Sequence, residues 1–406
     1  MLDAWLKSFG PAGHEGNLET KLKGLTWDHP RGYAPLIAGA REYQQSHPGV
    51  EISWERRTLR EFGEAPIEQY AERYDLIVID HPFTGFAAAH DVLVDLAPYI
   101  TAAERDVFAR DSVGLSWNSY WYAGGLWALP IDAATQVACY RPDLLSQLSS
   151  PPPKTFEDVL KLAATARAQG RFVIVPACPI DAISLVFTLS ANLGHAICEM
   201  DSSFLEPGVA REILERLHAL IAAAHPKSVD WNPIQVYDFM VSSSDAVYCP
   251  WGFGYSNYSR RGIPVPLKFT DAPAAGQIGC GGTMLGGTGV AVTVSCEHRD
   301  AAVAYAKWLV SIEHQRGTYV REGGQPASLT AWTDPTVDAQ ANGFFSRTLD
   351  TLESAYVRPR FDGFVRFFES AGIEINRCLR GDLSDQKLIE FLNAQFASRR
   401  AMAKKA

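Results

Sequence analysis

The chain has 406 residues, 47% of them hydrophobic and 20% charged, and carries a net charge of −9. That length exceeds one ordinary core and predicts two or three folding units, large enough to hold together without disulfides or a metal. The diffuse acidic balance excludes nucleic acid, which requires a basic face, and the sequence has no run of 18 apolar residues to span a membrane.

Residues 1–20 read as a loosely attached arm without the basic start, apolar core or cleavage site of a secretory signal. Lys23 to Trp27 predicts a strand ending in Asp28-His29-Pro30. Tyr33, Leu36, Ile37, Ala40 and Tyr43 recur at helical spacing, and His47-Pro48-Gly49 stops that helix. Val50 to Glu55 alternates as a half-buried strand does. Asp75 to Ile79 reads as a parallel strand covered on both faces, ending at Asp80-His81-Pro82. This βαβ order predicts a doubly wound α/β architecture.

Leu129-Pro130-Ile131 and Val137 to Tyr140 predict two short strands. The link between them, around Asp132 and Gln136, is small, polar and extended, as a hinge between lobes requires. Ser149 to Lys154, with three prolines, reads as a linker. Thr155 to Asp158 forms a capping box for a helix that Gly170 closes. Phe172 to Val175 predicts a buried strand. Glu206-Pro207 opens a long helix with Val209, Ile213, Leu217, Leu220 and Ile221 on one face. Asp245 to Cys249 predicts a short strand running into Pro250-Trp251-Gly252-Phe253-Gly254-Tyr255. Gly289 to Ser295 predicts another, followed by a helix through Ala301, Tyr305 and Trp308. The C-terminal segment is mostly helical, and its basic tail (Arg399, Arg400, Lys404, Lys405) reads as a solvated helix end.

Five segments in order, DLIVIDHPFTG, LWALPIDAATQVACYRPDL, YCPWGFGYSNYSR, GGTGVAVTVSCEHRDAAVAYAKWLVSIEHQ and GGQPASLTAW, resemble the family 1 extracellular solute-binding proteins. The likeness runs from about residue 23 to 370. It implies a periplasmic-binding-protein-like type II fold, in which two α/β lobes hold a solute between them and present it to an ABC permease. On this reading lobe one holds residues 20–131 and 286–327, and lobe two holds 136–280 and 332–406. The hinge lies near 130–136, 280–287 and 325–332, where glycines let backbone approach backbone or ligand. The resemblance implies a periplasmic location.

Ligands of open α/β sheets sit at strand carboxyl ends. The expected contacts are therefore Trp27, Asp28 and His29, with Asp80 and His81, from the first lobe. Asp132 and Gln136 join them at the hinge, and Trp251, Phe253 and Tyr255 from the second lobe. Cys280 and Gly281 lie in the glycine-rich crossing, and Arg360, near Arg358, reaches in from Val-Arg-Pro-Arg-Phe. Aromatic planes among a few hydrogen-bonding groups suit a sugar or polyol; the histidines and arginines leave an organic acid open. Trp251→Ala is expected to weaken solute binding with little change in melting temperature. The competing reading makes Trp27 and Trp251 core aromatics and the Asp-His pairs loop caps.

Other chemistries find little support. The Cys280–Gly289 glycines match neither a Walker loop nor G-x-G-x-x-G. There is no H-E-x-x-H, and His29, His81 and Asp80 read as hydrogen-bonding groups rather than metal ligands. The seven cysteines (Cys139, Cys178, Cys198, Cys249, Cys280, Cys296, Cys378) show no C-x-x-C spacing, so neither a disulfide framework nor a zinc site is expected. There is no G-x-S-x-G, and Cys280 is the one thiol placed for nucleophilic work. The expected protein is a binder without cofactor. The alternatives are a cytosolic small-molecule sensor and, on the same architecture, a cysteine-dependent transferase of the thiaminase type. Seven unpaired thiols suit a reducing compartment and keep a cytoplasmic location open against the periplasmic one.

Overall fold

The computed structural model describes residues 20–403 apart from 65 and 202. The N-terminal arm, Lys404 and Lys405 lie outside these. β1 (Thr20–Trp27) leads to α1 (Pro30–Ser46), which His29 caps by accepting from the Arg31 N–H at 3.1 Å. β2 (Val50–Arg57) and β3 (Leu76–Ile79) follow, and all four β3 residues are fully buried. β4 (Leu129–Tyr140) comes next, then α2 (Phe156–Arg167), opened by the Thr155–Asp158 capping box. β5 (Phe172–Val173), α3 (Pro179–Asn192), α4 (Pro207–Ala223), α5 (Pro233–Ser242), β6 (Ala246–Phe253) and β7 (Lys268–Thr270) complete the middle of the chain. β8 (Leu285–Val292), α6 (Arg299–Leu309), α7 (Phe344–Glu353), α8 (Phe364–Leu379) and α9 (Asp385–Ala403) finish it.

The strand order is β2-β1-β3-β8-β4-β6-β5, with β7 also on β4. β1 is parallel to β2 and β3, and β5 to β6, while β8 runs antiparallel between β3 and β4. The fold is therefore α/β, of the periplasmic-binding-protein type II class. One core gathers Leu22, Leu76, Ile79, Leu129, Val290 and Tyr305. A second gathers Val159, Phe187, Leu217, Trp251 and Phe364, and a third Val137, Tyr237, Phe269 and Phe344.

The structure corrects the sequence reading at β4. The two expected strands and their polar link are one strand of 12 residues, 11 of them buried. Its first part pairs with β8 up to Thr135, and from Gln136 it pairs with β6. The polar residues that looked like a break are each partnered from far along the chain. Asp132 holds Arg31, Thr135 Oγ1 lies 2.6 Å from Thr283 Oγ1, and the Gln136 amide oxygen accepts from Thr188. A polar side chain can stay in a strand interior when it is hydrogen-bonded in this way, although the Gln136 amide nitrogen has no partner among the described residues. The register with β8 slips at Thr288/Gly289, beside Asp132, a bulge that bends β4 there.

Two further strand limits differ. β6 runs on through Pro250, Trp251 and Phe253, and β8 begins at Leu285 rather than Gly289. Only the first part of the Cys280–Gly289 stretch is loop, and Asn192 clamps it, donating to the Gly279 and Gly281 carbonyls at 2.9 and 2.5 Å. Gln325 ties the third expected crossing to β4. Its carbonyl accepts from the Ala133 N–H at 3.1 Å, and its side-chain amide donates to the Ala133 carbonyl at 2.8 Å.

Trp251 is 1% exposed and stacks with Phe156 of α2, ring centroids 6.1 Å apart. Emptying that site leaves a cavity, so Trp251→Ala should cost about 3–5 kcal/mol, the reverse of the unchanged melting temperature expected from sequence. Urea denaturation measures it, and a loss below about 1 kcal/mol would contradict this packing role.

Candidate functional site

Between the end of β1, the end of β3, the middle of β4 and β8, the start of α3 and the end of β6 lies a cavity of about 540 Å³. Trp27 and Phe62 form one aromatic wall, ring centroids 5.3 Å apart, and Phe253 and Tyr255 form another. Arg31 lies under Tyr255, its guanidinium 4.7 Å from the ring centre. Its Nε donates to Asp132 Oδ2 at 2.8 Å, Nη2 to Oδ1, and Nη1 to the Gly254 carbonyl at 2.7 Å. Burial opposes a charge on Arg31, but the facing carboxylate outweighs it and holds the guanidinium above its ordinary pKa.

Asp80 ends β3 and caps the next turn by accepting from the His81 N–H at 2.8 Å. It also receives Arg358. Burial would raise its pKa, but Arg358 and His81 hold it at about 2. Asp181, in the first turn of α3, has a different setting. It is 3% exposed, and among the described residues its side-chain partner is the Cys178 thiol, donating at 3.1 Å. Burial lifts its pKa to about 7. Thr288 and Arg358 line the same cavity, and each keeps one buried polar atom, Oγ1 and Nε, without a hydrogen-bond partner among the described residues.

The structure brings Trp27, Asp80, Phe253 and Tyr255 to this cavity. Asp132 stands just behind it through Arg31. His29 stands edge-on to Tyr255, centroids 4.8 Å apart, with burial and then Arg31 lowering its pKa to about 4. Gln136 and His81 are fully buried behind the surface. Five expected contacts lie elsewhere. Asp28 is exposed and pairs with Arg56 at 3.1 Å. Trp251 is core, and the Cys280–Gly281 loop packs on the end of α3. Arg360 fastens the chain instead, donating to the Ser119 and Trp121 carbonyls at 2.8 and 2.9 Å.

Sequence reasoning missed Arg31, Phe62, Asp181 and Thr288, and passed over Arg358 in favour of its neighbour. Signals existed for two of them. A cation in the first turn of a helix opposes the helix dipole, so Arg31 needs a strong partner. Asp181 follows the carboxyl end of a recognised strand, the ligand side of such sheets.

The sequence profile of the bacterial extracellular solute-binding proteins matches residues 39–344, and the chain belongs to that family. Maltose-bound MalE3 of T. maritima is similar in structure, with TM-score 0.78 and 16% identity over 94% of this chain and 99% of that one. A ribitol complex of an ABC transporter solute-binding protein from Agrobacterium radiobacter K84 has TM-score 0.75 and 20% identity over 94% and 98%. An ABC transporter solute-binding protein from Thermotoga lettingae TMO bound with α-D-tagatose has TM-score 0.79 and 13% identity over 94% and 100%. At these identities the likeness establishes the fold. Among the described residues no helix is long and apolar enough to cross a membrane.

Asp181 makes a pH-dependent contribution of known sign. With a folded pKa of about 7 against 3.8, it costs nothing below pH 3.8 and destabilises the fold progressively up to pH 7. Asp181→Asn should therefore gain stability relative to the parent across that window, with a ceiling of about 4 kcal/mol. Urea denaturation of both proteins at several pH values measures the difference. A difference that does not change with pH would mean that Asp181 does not titrate there.

Proposed function

We propose that this protein is the solute receptor of an ABC-type importer and captures a sugar or polyol in the cavity by lobe closure. The cavity carries the reading. Its aromatic walls suit the C–H faces of a sugar ring, and the polar side chains in its lining, among them Asp80, Asn232 and Gln235, suit its hydroxyl rim. Arg31 and Arg358 are each neutralised by a carboxylate, which weighs against an organic acid. The relatives named above bind maltose, ribitol and tagatose, and lend the same class of solute.

The lobes are proposed as 20–131 with 286–327, and 136–280 with 332–406. Closure would be a twist about the bulged centre of β4, together with the crossings near 280–287 and 325–332. A solute touching both lobes favours the closed form only by its differential affinity for that form. Catalysis finds no activated group here. Cys280 is off the cavity, and burial and Asp181 raise the pKa of Cys178, the thiol that does line it, which disfavours its nucleophilic form.

A thermal-shift screen over sugars, polyols and small acids tests the solute class, since a bound solute raises the melting temperature by mass action. Response to acids alone would overturn it. With the best solute, Phe253→Ala should weaken binding about tenfold, or ~1.4 kcal/mol. An unaltered dissociation constant would remove Phe253 from the site. Saturating solute should also shrink the radius of gyration seen by X-ray scattering; superimposable curves would refute closure.

A further inference from the structure

Away from the cavity, three helices bring together three metal-ligating side chains that lie up to 167 residues apart in sequence. His218 comes from α4, Cys378 from the end of α8, and Asp385 from the start of α9. Asp385 Oδ1 accepts from the Cys378 thiol at 3.1 Å and lies 2.9 Å from His218 Nε2. One donor atom from each residue lies within 4.8 Å of the others, and no other cluster of three or more such residues is found among the described residues. The His218 and Asp385 side chains are 39% and 43% exposed, so an ion has a path from solvent. Cys378 is buried beneath them.

We propose that His218, Cys378 and Asp385 form a binding site for a divalent cation of zinc type, with water as the fourth ligand. Thiolate, imidazole and carboxylate together are a zinc donor set, and a three-ligand site keeps one position open. Zinc–ligand bonds of about 2.0–2.3 Å place tetrahedral donors about 3.3–3.6 Å apart. The two contacts to Asp385 are slightly shorter and need to part by about half an ångström, and the imidazole and thiol, up to 4.8 Å apart, need to close to about 3.5 Å. Protons balance simply. The thiol proton leaves to solvent, and the imidazole proton that Nε2 now donates to Asp385 moves to Nδ1, which frees Nε2 to bind. The carboxylate is already ionised, so thiolate and carboxylate neutralise the dication.

Such an ion would pin α4 to α8 and α9, and Glu369 and Ile373 of α8 line the solute cavity. The site would brace one cavity wall without touching the solute. Cys378 and Asp385 lie beyond residues 39–344, the part matched by the family profile. The sequence showed no sign of the cluster because no two of its members share a local motif.

The test uses the full-length protein, reduced and stripped with a chelator. Cobalt(II) should give a thiolate-to-metal charge-transfer band that Cys378→Ser abolishes while six other cysteines remain. Zinc titrated calorimetrically should bind at one site and raise the melting temperature, and His218→Gln should weaken it at least tenfold. His218→Gln alters a partly exposed side chain, so it serves if Cys378→Ser fails to fold. No band in the parent, a band that survives in Cys378→Ser, or zinc affinity untouched by His218→Gln would overturn the proposal and leave a hydrogen-bonded helix clasp.

Discussion

One buried ion pair sets the geometry of the molecule. Arg31 and Asp132 have side chains 4% and 0% exposed, and their doubly bonded contact joins the first turn of α1 to the middle of β4. The third guanidinium bond reaches the Gly254 carbonyl just past β6. Three segments far apart in sequence thus meet at one cation. Losing either partner would strand a charge in the interior, a penalty of about 3–5 kcal/mol. The pair therefore ties α1, β4 and the segment after β6 together, with the Tyr255 ring against the guanidinium.

The same economy runs through the cavity. Arg31 and Arg358 are each spent on a carboxylate, so they offer direction and hydrogen bonds rather than free positive charge. Asp181 has no cation beside it among the described residues, and burial raises its pKa to about 7. What the surface presents is a set of flat rings with scattered polar atoms. That chemistry discriminates by shape and hydroxyl placement more than by charge.

Much of the fold was legible in the sequence because local rules agreed with the tertiary ones. β1, α1, β2 and β3 carry plain periodicities, and α2 announces itself by a capping box. β4 was not legible, since polar residues in a strand interior signal a break until their remote partners Arg31, Thr283 and Thr188 are known. The site was half legible for a related reason. Strand ends point to the right region, and Trp27, Asp80, Phe253 and Tyr255 are there. Trp251 and Phe253 are two positions apart on one strand and look alike in sequence. Phe156 of α2 covers the first, and nothing in the local pattern reveals that covering. Arg358 and Arg360 pose the same problem, one turned to Asp80 and the other to the carbonyls near Trp121.

The place of β8 has a consequence for biosynthesis. This strand fills the gap between β3 and β4, yet it is Leu285–Val292, later in the chain than every other strand. A nascent polypeptide emerging from the ribosome therefore completes the edge of β3, four apolar residues long, well before its neighbour exists. Until then that edge is an open template for wrong pairing. Until Leu285–Val292 has been made, the amino-terminal strands lack the neighbour that closes this edge.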